Sequence, residues 1–245
     1  MMMAALVAAV ALIAVVGASY VSLTVSAVAV VVLILVAAIG WPHLLGVPAR
    51  KSQSAAIALS ALAATAAAYF SPSGAALTWL PVAVALGVGA IFLIQLLRGT
   101  GQSHRLESTL GASSGVLLIA LGAGWVAAEN LGVNAGSSGV TLVTGISVLI
   151  AIATALLPWP DRMVGPLGVV LAALAGPLCA LIFTDVEGLA AAIIGAVCGA
   201  VVMAGRRLVI SRDTPLNPAA VLAVGVAPIL GIGSLAYFLE RLLLS

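Results

Sequence analysis

Two consecutive stretches decide the fold: Ala4–Tyr20, AALVAAVALIAVVGASY, and Leu23–Ile39, LTVSAVAVVVLILVAAI. Neither contains a charged residue, and neither carries the polar stripe of a helix with one face in water. A run that is apolar on every side is a helix whose solvent is lipid, and about 20 such residues cross roughly 30 Å of hydrocarbon. The first run lacks the basic flank and cleavage site of a secretion signal, so Met1–Val16 is expected to belong to the first span.

Working outward, the pattern predicts nine spans: Ala4–Tyr20, Leu23–Ile39, Ala55–Phe70, Leu77–Leu97, Leu110–Ala128, Gly139–Leu157, Leu167–Phe183, Leu189–Gly205 and Ala219–Leu239. Ser71-Pro72-Ser73-Gly74 supplies the turn between the third and the fourth. Composition agrees, because 64% of the 245 residues are hydrophobic and 7% are charged, against about 25% charged in a soluble domain. Barrel strands would alternate polar and apolar positions, and that alternation is missing. The expected fold class is all-α, a polytopic transmembrane bundle forming a single integral membrane domain over 1–245.

Basic residues fall on one side only. The links after spans two, four, six and eight hold Arg50 and Lys51, Arg98 and Arg105, Arg162, and Arg206, Arg207 and Arg212, while those after spans one, three, five and seven hold none. By the positive-inside rule the basic links are cytoplasmic, and the expectation drawn from them is that both termini lie outside. Arg241, beside Glu240, is the one basic residue on the other side. Trp41 and Trp159 are expected at inner ends, and Trp79, Trp125, Tyr20, Tyr69 and Tyr237 near outer ends, at headgroup level. Richness in Ala, Val, Gly and Leu with a single lysine suggests a bacterial cell (inner) membrane.

A duplication is suggested by Trp41-Pro42 before Gly46-Val47-Pro48 and Trp159-Pro160 before Gly165-Pro166, four spans apart. It would give parallel repeats over 1–97 and 108–205 with an extra helix over 218–241. Trp and Pro are also common at inner boundaries, which explains the same pairs without duplication.

Chemistry-bearing residues are few. Nine basic and seven acidic residues leave a net charge of +2, too little for a nucleic-acid footprint. His43 and His104 stand alone in predicted links, and Cys179 and Cys198 fall in apolar runs where a thiol packs as a small hydrophobe. No metal or cofactor motif appears; Gly99-Thr100-Gly101 lacks the Lys-Ser/Thr ending of a phosphate loop. Glu107, Glu129, Asp161, Asp185, Glu187, Asp213 and Glu240 all fall in links or at span ends, where solvation is the plain reading and a midplane proton site is disfavoured.

The candidate substrate site is therefore Glu129, Asn130 and Glu240 near the outer face, with Asp185, Glu187 and Arg241 as neighbours and kinks at Pro177 and Pro228 as broken-helix elements. Small-residue stripes at Gly111 and Gly115, and at Ala191, Gly195 and Gly199, allow close helix packing or a surface for a second copy or a membrane partner. The basic links suit anionic membrane lipids. Neutral polar residues such as Gln95, Thr144, Ser147 and Ser234 suit interhelical hydrogen bonds.

Three functions follow, in order. The first is a permease-like carrier or flippase for a small or lipid-like molecule. The second is a non-catalytic membrane subunit or scaffold. The third is a transferase on lipid-linked substrates using Asp161, Arg162, Arg206, Arg207, Arg212 and Asp213.

Overall fold

A helix in hydrocarbon closes its own backbone hydrogen bonds, so what remains to be determined is how each one packs. The computed structural model describes residues 2–46, 50–72, 75–97, 105–135, 139–184, 186–210 and 216–243, and within these the side chains of all but 105, 133–135 and 243. Among them lie ten helices and no strand: α1 (Met2–Ser19), α2 (Leu23–Leu45), α3 (Arg50–Phe70), α4 (Leu80–Leu97), α5 (Arg105–Ala120), α6 (Ala123–Ala135), α7 (Gly139–Ala155), α8 (Asp161–Phe183), α9 (Gly188–Ile210) and α10 (Pro218–Leu243).

Eight segments are long and apolar enough to cross a bilayer; α5 and α6 share one of them, Leu106–Gly132. The ninth crossing is the shorter α7, with 17 residues. It joins the two faces, since Gly139 lies beside Thr184 and Val186 at one end and the Ala155 carbonyl meets Arg206 at the other. The chain thus forms the expected bundle of membrane helices. Large apolar side chains such as Leu6, Ile13, Val32, Leu86 and Leu181 are exposed, as lipid-facing positions should be.

Helix α2 outruns its predicted end. Ser22 caps its start by accepting from the Val25 amide at 3.2 Å, and the helix continues through Trp41 and Pro42 to stop at Gly46, where φ is 67°. Trp159 and Pro160 instead stand in the link before α8, with Pro160 at the cap position. The two Trp-Pro pairs therefore have different local structures.

The helices pack in two groups. Helices α7, α8 and α9 pack on one another, while α2, α3, α4, α5, α6 and α10 make up the second group; α1 bridges them through α7, α2 and α10, and α10 itself also touches α9 and α7. These are packing units, drawn differently from the sequence halves 1–97 and 108–205. The small-residue stripes act inside the chain. A Cβ on Gly176 would meet the Ala191 carbonyl, and one on Gly195 the Ala172 carbonyl, so α8 and α9 touch backbone to backbone. Gly111 and Gly115 lie under Leu45 and Trp41, and the Trp41 indole N–H donates to the Gly111 carbonyl at 2.9 Å.

The expectation for the termini needs correction. Ala4 and Ala5 share a cleft with Leu156, Arg206, Val209 and Val224, so α1 starts on the same face as the basic ends of α7 and α9. Tyr20, at its other end, lies within electrostatic reach of Glu129 and Cys179 on the opposite face. An odd number of crossings then carries the end of α10 to that opposite face, and the two termini cannot share a side. The aromatic belt is also thinner than expected. Trp79, Trp159 and Tyr20 are well exposed, whereas Trp41, Trp125 and Tyr237 are buried in the bundle.

Single cysteines placed at Met3 and Arg162, in a chain with Cys179 and Cys198 replaced by alanine, should be labelled from the same side by a membrane-impermeant thiol reagent. One at Leu242 should be labelled from the other side. Gly195→Leu should destabilise the purified protein by about 1–3 kcal/mol or more through overpacking. Gly89→Ala, with nothing within 4 Å of the new Cβ, should leave the unfolding midpoint in a denaturing-detergent titration unchanged.

Candidate functional site

The most irregular backbone inside the bundle is the break between α5 and α6. At Leu121-Gly122 the helix gives way to a turn, in which the Gly122 amide reaches the Ile119 carbonyl at 3.1 Å and the Gly124 amide the Leu121 carbonyl at 3.0 Å. Lipid offers no partner for a disturbed backbone, so protein must provide it. Ser234 on α10 donates its hydroxyl to the Leu121 carbonyl at 2.8 Å, and the Trp125 indole N–H donates to the Ile229 carbonyl at 2.8 Å. Gly124 lies against the backbone of Gly233 and Ser234, with no room for a Cβ. Pro177 and Pro228 were the expected sites of broken helices, but α8 and α10 run through both. The signal for the true break was the run Leu121-Gly122-Ala123-Gly124, which contains no proline.

On the face opposite the basic ends, the structure gathers part of the predicted site. Asn130 is buried and donates to the carbonyls of Ala68 (3.4 Å) and Ser71 (3.1 Å), tying α6 to the end of α3. Glu129 is half-buried, and its charge acts on Glu240 of α10. Glu240 is only 2% exposed, and its Oε2 has no hydrogen-bond partner; one turn earlier the Tyr237 hydroxyl is equally buried and unpartnered. Burial of this depth departs from the solvated helix-end reading of Glu240. Arg241 and Glu187 are exposed, and Asp185 lies outside the described residues.

On the basic face, Asp161 at the start of α8 pairs with two arginines of α9. Arg206 Nη1 meets Asp161 Oδ1, and Arg207 Nε meets Oδ2 at 2.9 Å. Arg206 Nε also donates to the Ala155 carbonyl at 3.0 Å, so its buried guanidinium joins α7, α8 and α9. Arg50, Lys51 and Arg162 are exposed; Arg98, Arg212 and Asp213 lie outside the described residues, as does the side chain of Arg105. His43, expected in a link, belongs to α2 and donates through Nδ1 to the Ile39 carbonyl at 2.9 Å. Gln95 is buried and donates to Ser108 of α5 at 2.8 Å, an interhelical bond of the expected kind. Gln53, outside the predicted third span, is fully buried and donates to the same hydroxyl at 3.2 Å.

Two clefts follow α1 along its seam with α7. The one at the basic end, a small cavity of about 70 Å³, is lined by Ala4, Ala8, Ile152, Arg206, Gly225 and Pro228 among others. The second, about 250 Å³, is separate from it and lies along Leu12, Val16, Tyr20, Leu142, Gly145 and Leu149. Between them they border α1 from Ala4 to Tyr20, with mostly apolar walls and Arg206 as the one cation among the lining residues. Pro228 thus belongs to this seam rather than to the Glu129 and Glu240 cluster, and Pro177 lines neither cleft.

Among the described residues no three His, Cys, Asp or Glu side chains converge as metal ligands, and both cysteines are buried free thiols. Comparison of the chain with known protein families, with curated proteins and with solved structures gives no match.

The clasp over the break predicts that Ser234→Ala and Trp125→Phe each cost about 0.5–1.5 kcal/mol, the net worth of one hydrogen bond. Gly124→Val should cost more, because it forces α6 away from α10. Unfolding midpoints in a denaturing-detergent titration should show the two smaller losses and the larger one.

Proposed function

We propose that this chain is a membrane carrier of the flippase kind, which passes an amphiphile with an anionic head along the α1–α7 seam. The observation that carries the reading is the pair of clefts along α1, where it meets α7, with apolar walls and Arg206 at one mouth. Apolar walls suit acyl chains that stay in contact with the bilayer, because lipid-facing side chains such as Ile13 and Tyr20 border the seam. A guanidinium in a largely dry site attracts phosphate or carboxylate strongly and with defined geometry. Arg206 is also mobile in function on this reading: Asp161 holds it between substrates, and an anionic head competes for it.

The positive-inside rule, applied to the basic face, supports a cytoplasmic position for that face in a bacterial cell membrane. The amino terminus is then inside and the carboxyl terminus outside. A scaffold role draws less support, since the small-residue stripes that motivated it are used within the chain. The transferase reading is weaker as well, because the Asp161 carboxylate is already engaged by two arginines.

The test uses the purified chain in vesicles with a fluorescent anionic phospholipid, following its exposure to a membrane-impermeant quencher. Transbilayer movement should exceed that of protein-free vesicles. Ala8→Phe, which fills the seam, should lower it towards the protein-free rate, and Arg206→Gln should slow the anionic lipid more than a zwitterionic one. Equal rates with and without protein would reject the carrier. Unchanged rates in Ala8→Phe would place the path elsewhere.

A further inference from the structure

We infer that Glu240 and Glu129 form a proton-binding site at the face opposite Arg206, through which the proposed carrier exchanges a proton with that side of the membrane. The coupling half of this inference rests on the carrier reading; the proton site itself does not.

The geometry begins with α10. Glu240 lies near its last turn, 2% exposed, and its Oε2 is buried without a partner. Glu129, on the tightly clasped α6, is close enough for its charge to be felt at Glu240. Two negative charges at this spot would be uncompensated. Helix α2 offers only His43 and α5 only Arg105 and Glu107, all towards the other face; α1 and α7 offer no titratable side chain. On α9 the titratable groups are Cys198, deep in the bundle, and Arg206 and Arg207 at the far end. Tyr20 faces Glu129 from the turn after α1, and Glu187 before α9 is exposed. Arg241 follows Glu240 directly but is exposed, and no ion pair joins the two among the described residues.

Among the described residues no cation therefore balances the pair, and a buried charge without a partner is among the costliest groups a membrane protein can hold. One proton shared by the two carboxyls removes half of that charge, as in other sites where two carboxyls sit together. The Tyr237 hydroxyl, buried without a hydrogen-bond partner on the same face of α10, is a second polar group at this spot that no protein group satisfies. The link to the seam is mechanical. Helix α10 is one continuous rod from Pro218 to Leu243, with Pro228 and Gly225 walling the cleft and Glu240 at the other end. A proton gained or lost at Glu240 changes the force between α10 and α6, and so acts on the wall of the seam.

The test labels the full chain with dicyclohexylcarbodiimide, which attacks protonated carboxyls in apolar surroundings, and maps the adducts by mass spectrometry. An adduct on Glu240 in preference to exposed Glu187, falling away as pH rises, is expected. Glu240→Gln should lose it and Glu240→Asp should keep one at that position. Absence of the adduct on Glu240, or labelling indifferent to pH, would overturn the proton site. In vesicles, an imposed pH gradient should accelerate lipid movement in the parent protein and have no effect in Glu240→Gln; acceleration in both would overturn the coupling. Labelling without any lipid movement would keep the site and reject the carrier. Movement through an unlabelled protein would do the reverse.

Discussion

Where α5 gives way to α6, a transmembrane helix is interrupted in surroundings that offer no water, and the rest of the bundle is arranged around meeting that demand. The Ser234 hydroxyl and the Trp125 indole satisfy backbone carbonyls across the contact, at 2.8 Å each. Neither bond could form unless α6 and α10 approached backbone to backbone, which Gly124 and Gly233 permit. Without a hydrophobic driving force between helices in lipid, such close van der Waals contact and interhelical hydrogen bonding are what hold a bundle together. Helix α10 is fixed by this contact, and it in turn packs on α1, α2, α5, α7 and α9. The last helix in the chain is thus the axis of the fold.

How much of this the sequence disclosed depends on how local the cause was. Nine crossings were legible because lipid imposes one rule on every span, apolar on all sides and long enough. Helix ends were less so. Helix α2 continues through Pro42, which removes only the one bond to the Ala38 carbonyl, and ends at Gly46 one turn later. The break at Leu121-Gly122 escaped notice because prolines attract attention, and in α10 Pro228 is absorbed without interruption. Gln53 and Trp125 were misplaced for a shared reason: a polar or amphipathic side chain near a helix end reads as interfacial, yet neighbouring helices decide whether it meets water. The charge asymmetry of the links is written in the sequence itself. The termini then follow only by counting crossings from a basic link, and an odd count separates them.

The candidate site was half legible for the same reason. Glu129, Asn130 and Glu240 were singled out as the least loop-like polar residues, and all three lie towards one face. Their burial was not readable, because it comes from α3 and α10 closing over α6 at distances of 59 to 62 residues along the chain for Asn130. Arg206 and Arg207 were read as orientation signals, and that role is compatible with their ion pairs to Asp161, since a charge retained at one face is free to organise the helix ends it meets.

Contacts between helices in this bundle differ in how closely they are packed. Helices α8 and α9 touch through glycine and alanine, and α6 meets α10 through glycine, so each group is held where side chains are smallest. Helix α1 differs. A methyl group added at Gly17 would find no neighbour within 4 Å, and the helix meets α7 through Leu12, Ile13 and Val16, which leave the two clefts between them. A void forfeits the dispersion contacts that close packing provides. Separation of α1 from α7 along Leu12, Ile13 and Val16 therefore gives up less close packing than separation of α8 from α9, whose backbones touch.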